Sequence, residues 1–236
     1  MIQAITFDLW NTIFINKFYS DLRLKYLIQF LESKEILYSL DKIKVAFRSA
    51  FSLAERYYNE NNHIYTEDRI ANMLNILNLD MTKTHKNLIK EEFERIMLND
   101  PPSLKKGVKE TLEELSLNYK IGLISNTGIT PGRIINKVFQ EYDVFKFFNV
   151  QIYSDEIGFY KPHPILFKTA LRELKSSPQN SIHIGDKLET DIKGAKDFNM
   201  FTIWFNDSYS PNSELIQPDY EIHDISEVIQ IIKKLN

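Results

Sequence analysis

From residue 120 onward the chain alternates between short apolar runs and longer stretches with helical spacing. Ile121-Gly122-Leu123-Ile124-Ser125, Val150-Gln151-Ile152-Tyr153, Ser181-Ile182-His183-Ile184-Gly185 and Phe201-Thr202-Ile203-Trp204-Phe205 are rich in β-branched and aromatic side chains and bounded by polar residues, which predicts strands. A further strand is expected at residues 2–7. Residues 131–139 place Ile134, Ile135, Val138 and Phe139 on one helical face, and residues 164–174 begin with a proline in the first helical turn. Residues 190–198 also read as a helix. Residues 226–235 close the chain as an amphipathic one, through Val228, Ile229, Ile231, Ile232 and Leu235. Short strands alternating with helices of about ten residues predict βαβ units and a parallel sheet.

Residues 17–99 follow another rhythm. No convincing strand appears, and four helical stripes do. The first is Phe18, Leu22, Leu27, Phe30 and Leu31; the second is Ile43, Phe47, Ala50, Phe51 and Ala54. Ile70, Met73, Leu74 and Leu77 make the third, and Leu88, Ile89, Phe93, Ile96 and Met97 the fourth. Pro101-Pro102 ends the block. The expected fold is α/β: a Rossmann-like parallel sheet core, residues 1–15 and 100–236, with an all-helical cap, residues 16–99, inserted after the first strand.

Composition removes several function classes. The 236 residues carry a formal net charge of −3, from 29 basic and 32 acidic side chains, so there is no basic excess to hold nucleic acid. The absence of cysteine excludes disulfides, thiolate zinc sites and a cysteine nucleophile. No apolar run approaches the roughly 18–20 residues that span a bilayer. The amino terminus enters a strand-like run with no basic region or small-residue cleavage site, so a cytoplasmic protein without membrane partners is expected. A monomer or homodimer is expected.

Ligands on open parallel sheets gather beyond the carboxyl ends of the strands. Four polar segments lie there: Asp8 to Thr12 after the first strand, Ser125-Asn126-Thr127, Gly158 to Pro162 around Lys161, and Gly185-Asp186 with Asp191. Each taken alone has an ordinary explanation. An Asp after a strand is commonly a turn former, Ser-Asn-Thr caps helices, a loop lysine is commonly solvated, and Asp186 and Asp191 suit a helix N-terminus. Four such signals in order, at one sheet edge, point instead to a shared site.

That ordered set resembles the haloacid dehalogenase-like hydrolase superfamily over nearly the whole chain, and the helical insertion resembles its C1-type cap. Asp8, Trp10 and Thr12 match the family's Asp-x-Asp-x-Thr motif with one departure, and Ser125 matches the second motif. Lys161, followed by Pro162, matches the third, and Gly185-Asp186 with Asp191 the fourth. The resemblance implies that Asp8 is a nucleophile forming an aspartyl-phosphate. Mg²⁺ is then held by Asp8, Asp186 and the backbone carbonyl of Trp10, with Asp191 behind as a partner of Asp186 or of a metal-bound water. Lys161 offsets the charge of nucleophile and phosphate, and Ser125, Asn126 and Thr12 serve catalysis and substrate binding. The substrate implied is a small phosphorylated molecule.

The departure is Trp10. The family's phosphatases carry an acid/base Asp there, and an indole cannot transfer protons near neutral pH. Three readings follow: a metal-dependent phosphohydrolase working without this acid, a 2-haloacid dehalogenase needing no metal, or an impaired binding protein. Retention of Gly185-Asp186 favours the first. The dehalogenases' cap arginine has no match either, because thirty-one residues after Asp8 lies Ser39. Candidate replacement proton donors are Glu55, Tyr57 and His63; candidate anion contacts are Arg48, Arg56 and Arg69. Tyr57, Tyr58 and Tyr65 either line the cleft or pack the helices, and His183, inside an apolar strand, reads as structural.

Overall fold

The computed structural model describes residues 1–211 and 215–236. Among them, six strands form one parallel sheet in the order β3-β2-β1-β4-β5-β6: β1 Ala4–Phe7, β2 Lys120–Ser125, β3 Val150–Tyr153, β4 Ser181–Gly185, β5 Phe201–Phe205 and β6 Tyr220–Ile222. The sequence pattern places five of these. β6, three residues long, is too short to show a period, and the first strand starts two residues later than expected.

Period-two alternation explains both faces. Ile5, Phe7, Ile121, Leu123, Ile182 and Ile184 turn into one core, which α5 (Val108–Ser116), α6 (Gly132–Glu141) and α10 (Glu227–Leu235) help to cover. Ala4, Ile124 and Ile152 turn the other way and pack on α8 (Pro164–Leu174) and α9 (Lys193–Asp197), and a single turn, α7 (Ser154–Ile157), follows β3. α8 starts where expected, with Pro164 in its first turn and the His163 side chain accepting a hydrogen bond from the Ile165 N–H. The helix expected at residues 190–198 is instead a wide turn, Leu188–Ile192, followed by α9. That turn folds the Asp191 carboxylate back onto the backbone N–H of Lys187, at 3.0 Å.

Four helices follow β1: α1 Ser20–Ser33, α2 Leu40–Asn59, α3 Thr66–Leu77 and α4 Lys83–Arg95. Ser39 and Thr82 cap α2 and α4 by accepting from Lys42 N and His85 N, each at 3.3 Å. Their buried faces share a core of their own, which includes Leu27, Phe47, Met73, Leu77 and Phe93. Not every expected stripe residue is inside: Phe18 precedes α1 and is exposed, and Leu22, Phe51 and Leu88 stay partly in water. The core also receives Ile129, which belongs to the loop between β2 and α6. Around it, Arg23 donates to the Phe93 carbonyl at 2.9 Å and to Thr130 Oγ1 at 2.8 Å, and Thr66 donates to the Ile129 carbonyl at 3.2 Å. A second tie joins His63 N to the Gly158 carbonyl and Tyr160 N to the Asn61 carbonyl. The helical block is thus fastened to the loops at the carboxyl edge of the sheet. Among the described residues no helix is long and apolar enough to cross a membrane.

Candidate active site

Asp8 follows β1 directly, and its backbone N–H still donates to the Ile184 carbonyl of β4, so the sheet fixes its position. The strand order reverses at β1, which opens a crevice at its carboxyl end. A cavity of about 530 Å³ lies there. It is lined from the sheet edge by Asp8, Trp10, Asn126, Lys161, Asp186 and Asp191, and from the helical block by Phe51, Glu55, Tyr58 and Arg69.

Lys161 is the hub. Its ammonium donates to Asp8 Oδ1 at 2.5 Å and to the Ile124 carbonyl at 2.7 Å, and meets Asp191 Oδ1 at 2.6 Å. Three N–H donors thus find three acceptors, all out of water. The backbone around it is held by Asn126, whose side chain accepts from Lys161 N at 2.7 Å and donates to the Lys161 carbonyl at 3.2 Å. Asp191 has a further neighbour in His183 Nε2 at 3.4 Å, while the other ring nitrogen meets Thr6 Oγ1 at 2.9 Å. His183 is therefore structural, as its strand position suggests, and it braces Asp191. Gly185 is required here: a Cβ would come within 2.4 Å of the Asp191 side chain.

One ammonium cannot neutralise this cluster. Carboxylate oxygens of Asp8, Asp186 and Asp191 lie within 4.8 Å of one another. Burial is the leading influence on all three carboxyls and disfavours their charge. For Asp191 the pull of Lys161 and His183 wins, and its carboxyl is held well below the usual carboxylate range. For Asp8 burial wins over the pull of Lys161, with repulsion from Asp191 and Asp186 added, and its carboxyl is pushed up to about 7. Burial and Asp191 push Asp186 up to about 6, against an Asn11 side-chain amide donating to it at 3.2 Å. Burial works against the Lys161 ammonium too, but the two carboxylates beside it hold it firmly protonated. Three carboxylates gathered around one buried ammonium, with Lys187 at the cavity wall beside Asp186, offer hard oxygen donors that suit a divalent cation.

The remaining expected residues fall into place unevenly. Trp10 lines the cavity and packs on Phe14, with ring centroids 6.3 Å apart. Ser125 and Thr12 are fully buried, and neither hydroxyl has a hydrogen-bond partner among the described residues. Asn126, Thr127 and Gly128 line the cavity wall beyond Ser125. Asp191 reaches Lys161, His183 and Lys187 N by hydrogen bond or ion pair, and the Asp186 side chain pairs instead with Asn11. His63 lies outside the cavity lining, with Nδ1 on Ser154 Oγ at 3.1 Å and Tyr65 and Tyr160 packed around it. Burial pushes it down to about 4, so it is neutral at pH 7. Of the three helical-block arginines, Arg69 lines the cavity, whereas Arg48 and Arg56 are exposed. The role of Tyr160, buried on the cavity wall beside Lys161, has no sequence signature beyond that adjacency.

Comparison with known proteins places this geometry. The family described as haloacid dehalogenase-like hydrolase matches residues 2–199. Glyceraldehyde 3-phosphate phosphatase of Pyrococcus furiosus is 32% identical over 130 residues, covering 55% of this chain and 53% of that protein. The chain thus spans about half the length of the curated relatives it matches. Among solved structures, 2-haloacid dehalogenase from Pseudomonas syringae shares the fold with a TM-score of 0.77 at 20% identity, covering 100% of both chains. A HAD-hydrolase from Bacillus subtilis bound to magnesium shares it with a TM-score of 0.66 at 21% identity, covering 98% of both. With the family matched over most of its length, the chain belongs to the haloacid dehalogenase-like hydrolases.

Proposed function

We propose that the protein is a Mg²⁺-dependent phosphohydrolase acting on a small phosphorylated molecule, with Asp8 as nucleophile and residues 16–99 as its cap. The observation that carries this reading is the surplus of carboxylate: oxygens of Asp8, Asp186 and Asp191 lie within 4.8 Å of one another, and among the described residues the buried ammonium of Lys161 forms ion pairs only with Asp8 and Asp191. Asp186 forms no ion pair among the described residues, so its carboxylate is accounted for by a cation, which a metal-free dehalogenase would not hold. Asp8, Asp186 and the Trp10 carbonyl would hold the cation, which when bound supplies charge neutralisation for the phosphoryl group.

The chain's own residues do the rest. Asp8 Oδ attacks phosphorus in line as the ester P–O bond breaks and the alcohol or phenol oxygen leaves, giving an aspartyl-phosphate; water then cleaves the acyl phosphate, releasing inorganic phosphate and regenerating the Asp8 carboxylate. Lys161 keeps Asp8 oriented and offsets charge on the incoming phosphate; Asp191 and His183 keep Lys161 in position. Asn126 and the backbone after it face the phosphate from the cavity wall, and Ser125 and Thr12, fully buried outside the cavity lining with hydroxyls unpartnered among the described residues, serve phosphate and substrate binding. The helical block closes the cavity against water.

The test is a panel of aryl and alkyl phosphates plus 2-chloropropionate, with Mg²⁺ and with a chelator. Phosphate release that falls at least about 10²-fold on chelation is expected. Chloride release in the chelator would overturn the reading, as would metal-independent phosphate release.

Trp10 leaves the departing alkoxide without the usual acid, so aryl esters, whose phenolate needs no protonation, should be the better substrates. Trp10→Asp is expected to raise kcat on alkyl phosphates by about 10-fold or more and to change aryl phosphates little. An equal rate on alkyl esters would mean that Glu55 or Tyr58, both on the cavity wall, already donates the proton.

A further inference from the structure

Arg69 stands in the first turn of α3 and is 5% exposed, yet it lines the same cavity as Asp8. Buried arginines are ordinarily paired. Arg23, the other buried one, is satisfied by the Phe93 carbonyl and Thr130. Even Arg133, which is exposed, is paired with the buried Glu94. Arg69 has only the Ala50 carbonyl, 3.3 Å from Nη1, and the Tyr160 hydroxyl beside it. Its Nε has no partner, and among the described residues no carboxylate forms an ion pair with it. Glu55 lines the cavity but is exposed and makes no such pair.

Tyr160 completes the pattern. Its hydroxyl accepts from Ile64 N at 3.4 Å and lies against the guanidinium. Burial pushes its pKa up, so the hydroxyl keeps its proton. A guanidinium and a phenolic O–H, desolvated side by side on a cavity wall with no ion-pairing carboxylate among the described residues (Asp68, next in sequence, acts on the guanidinium only at a distance), are donors for a ligand oxyanion.

We propose that Arg69 and Tyr160 form a second oxyanion site, so that the substrate carries an additional anionic group, a carboxylate or another phosphate, at the end opposite the phosphate that is cleaved. This deepens the phosphohydrolase reading and rests on it for the word substrate. It separates this chain from glyceraldehyde 3-phosphate, named for the Pyrococcus furiosus relative, whose far end is an uncharged aldehyde.

Binding tests the site without turnover. Titration calorimetry with Mg²⁺ would compare phosphonoacetate and 3-phosphonopropionate with methylphosphonate and propylphosphonate, and methylenediphosphonate would serve as the two-phosphate arm. The expected result is at least 10-fold tighter binding of the carboxylated or the doubly phosphorylated ligands, whichever anion the site takes. In Arg69→Gln that preference should collapse, and Arg69→Lys should restore part of it. Equal binding of charged and neutral-ended ligands by the wild type would overturn the proposal, even if Arg69→Gln failed to fold. So would a preference that survives in a folded Arg69→Gln protein. Hydrolysis of 2-phosphoglycolate against glycol monophosphate reads the other question separately. Selective binding with no phosphate release from any ester, aryl phosphates included, would leave the oxyanion site standing and remove the phosphohydrolase reading.

Discussion

Asp8→Asn is expected to lower turnover by about 10³-fold or more while leaving the fold intact, because the amide keeps an oxygen for Lys161 but cannot attack phosphorus. Residual activity above about a tenth of wild type would be incompatible with a nucleophile. The same variant should report on the charge surplus. Asp8 is pushed from 3.8 up to about 7, chiefly by burial, so the fold favours its protonated form. A raised folded-state pKa gives stability that is complete below 3.8 and is lost as pH rises through about 7. Asparagine stays neutral throughout. In chelator, Asp8→Asn should therefore melt above wild type at pH 8, and the difference should vanish toward pH 4. A variant that melts lower than wild type at pH 8 would show that the carboxylate is stabilising in the metal-free protein.

Lys161→Met should be the most damaging single change in the cavity. Methionine fills the space of the alkyl chain but leaves Asp8 and Asp191 facing each other in a buried site without their ammonium. Removing one partner of a buried pair costs about 3–5 kcal/mol. For a chain of this size that is a fall in Tm of roughly 6–20 °C, together with loss of detectable turnover. Thermal melts in chelator measure the first and phosphate release the second. A Tm within about 2 °C of wild type would mean that the carboxylates are not held by this lysine.

The strand ends and the four polar segments were legible in the sequence because both depend on local pattern. Ile182 and Ile184 alternate with His183, Gly185 stops the strand, and Asp186 follows. β1, β2 and β4 could be placed from such runs alone. What could not be read is set by contacts between distant positions. Asp191 looks like a partner for Asp186, five residues away, yet the wide turn at Leu188–Ile192 delivers it to Lys161, which lies far off in sequence. Arg48, Arg56 and Arg69 look alike on helical stripes, and burial against Ala50 and Tyr160 is what sets Arg69 apart. α5 did leave a signal, Val108, Leu112 and Leu115 on one face, but its nine residues are short for a periodic pattern to stand out.

The placement of Ile129 bears on how this enzyme can be re-engineered. Its side chain belongs to the hydrophobic core of the helical block, although its backbone belongs to the loop that begins with Asn126 at the cavity wall. The boundary between the two parts of the molecule therefore does not coincide with the two points where the chain crosses it. A chimaera that transplants residues 16–99 from a relative would bring a socket shaped for another plug. It would change one wall of the cavity and unsettle the loop at Asn126 in one stroke, unless residues 128–130 travel with the graft. The helical block is exchanged as two segments of chain, not one.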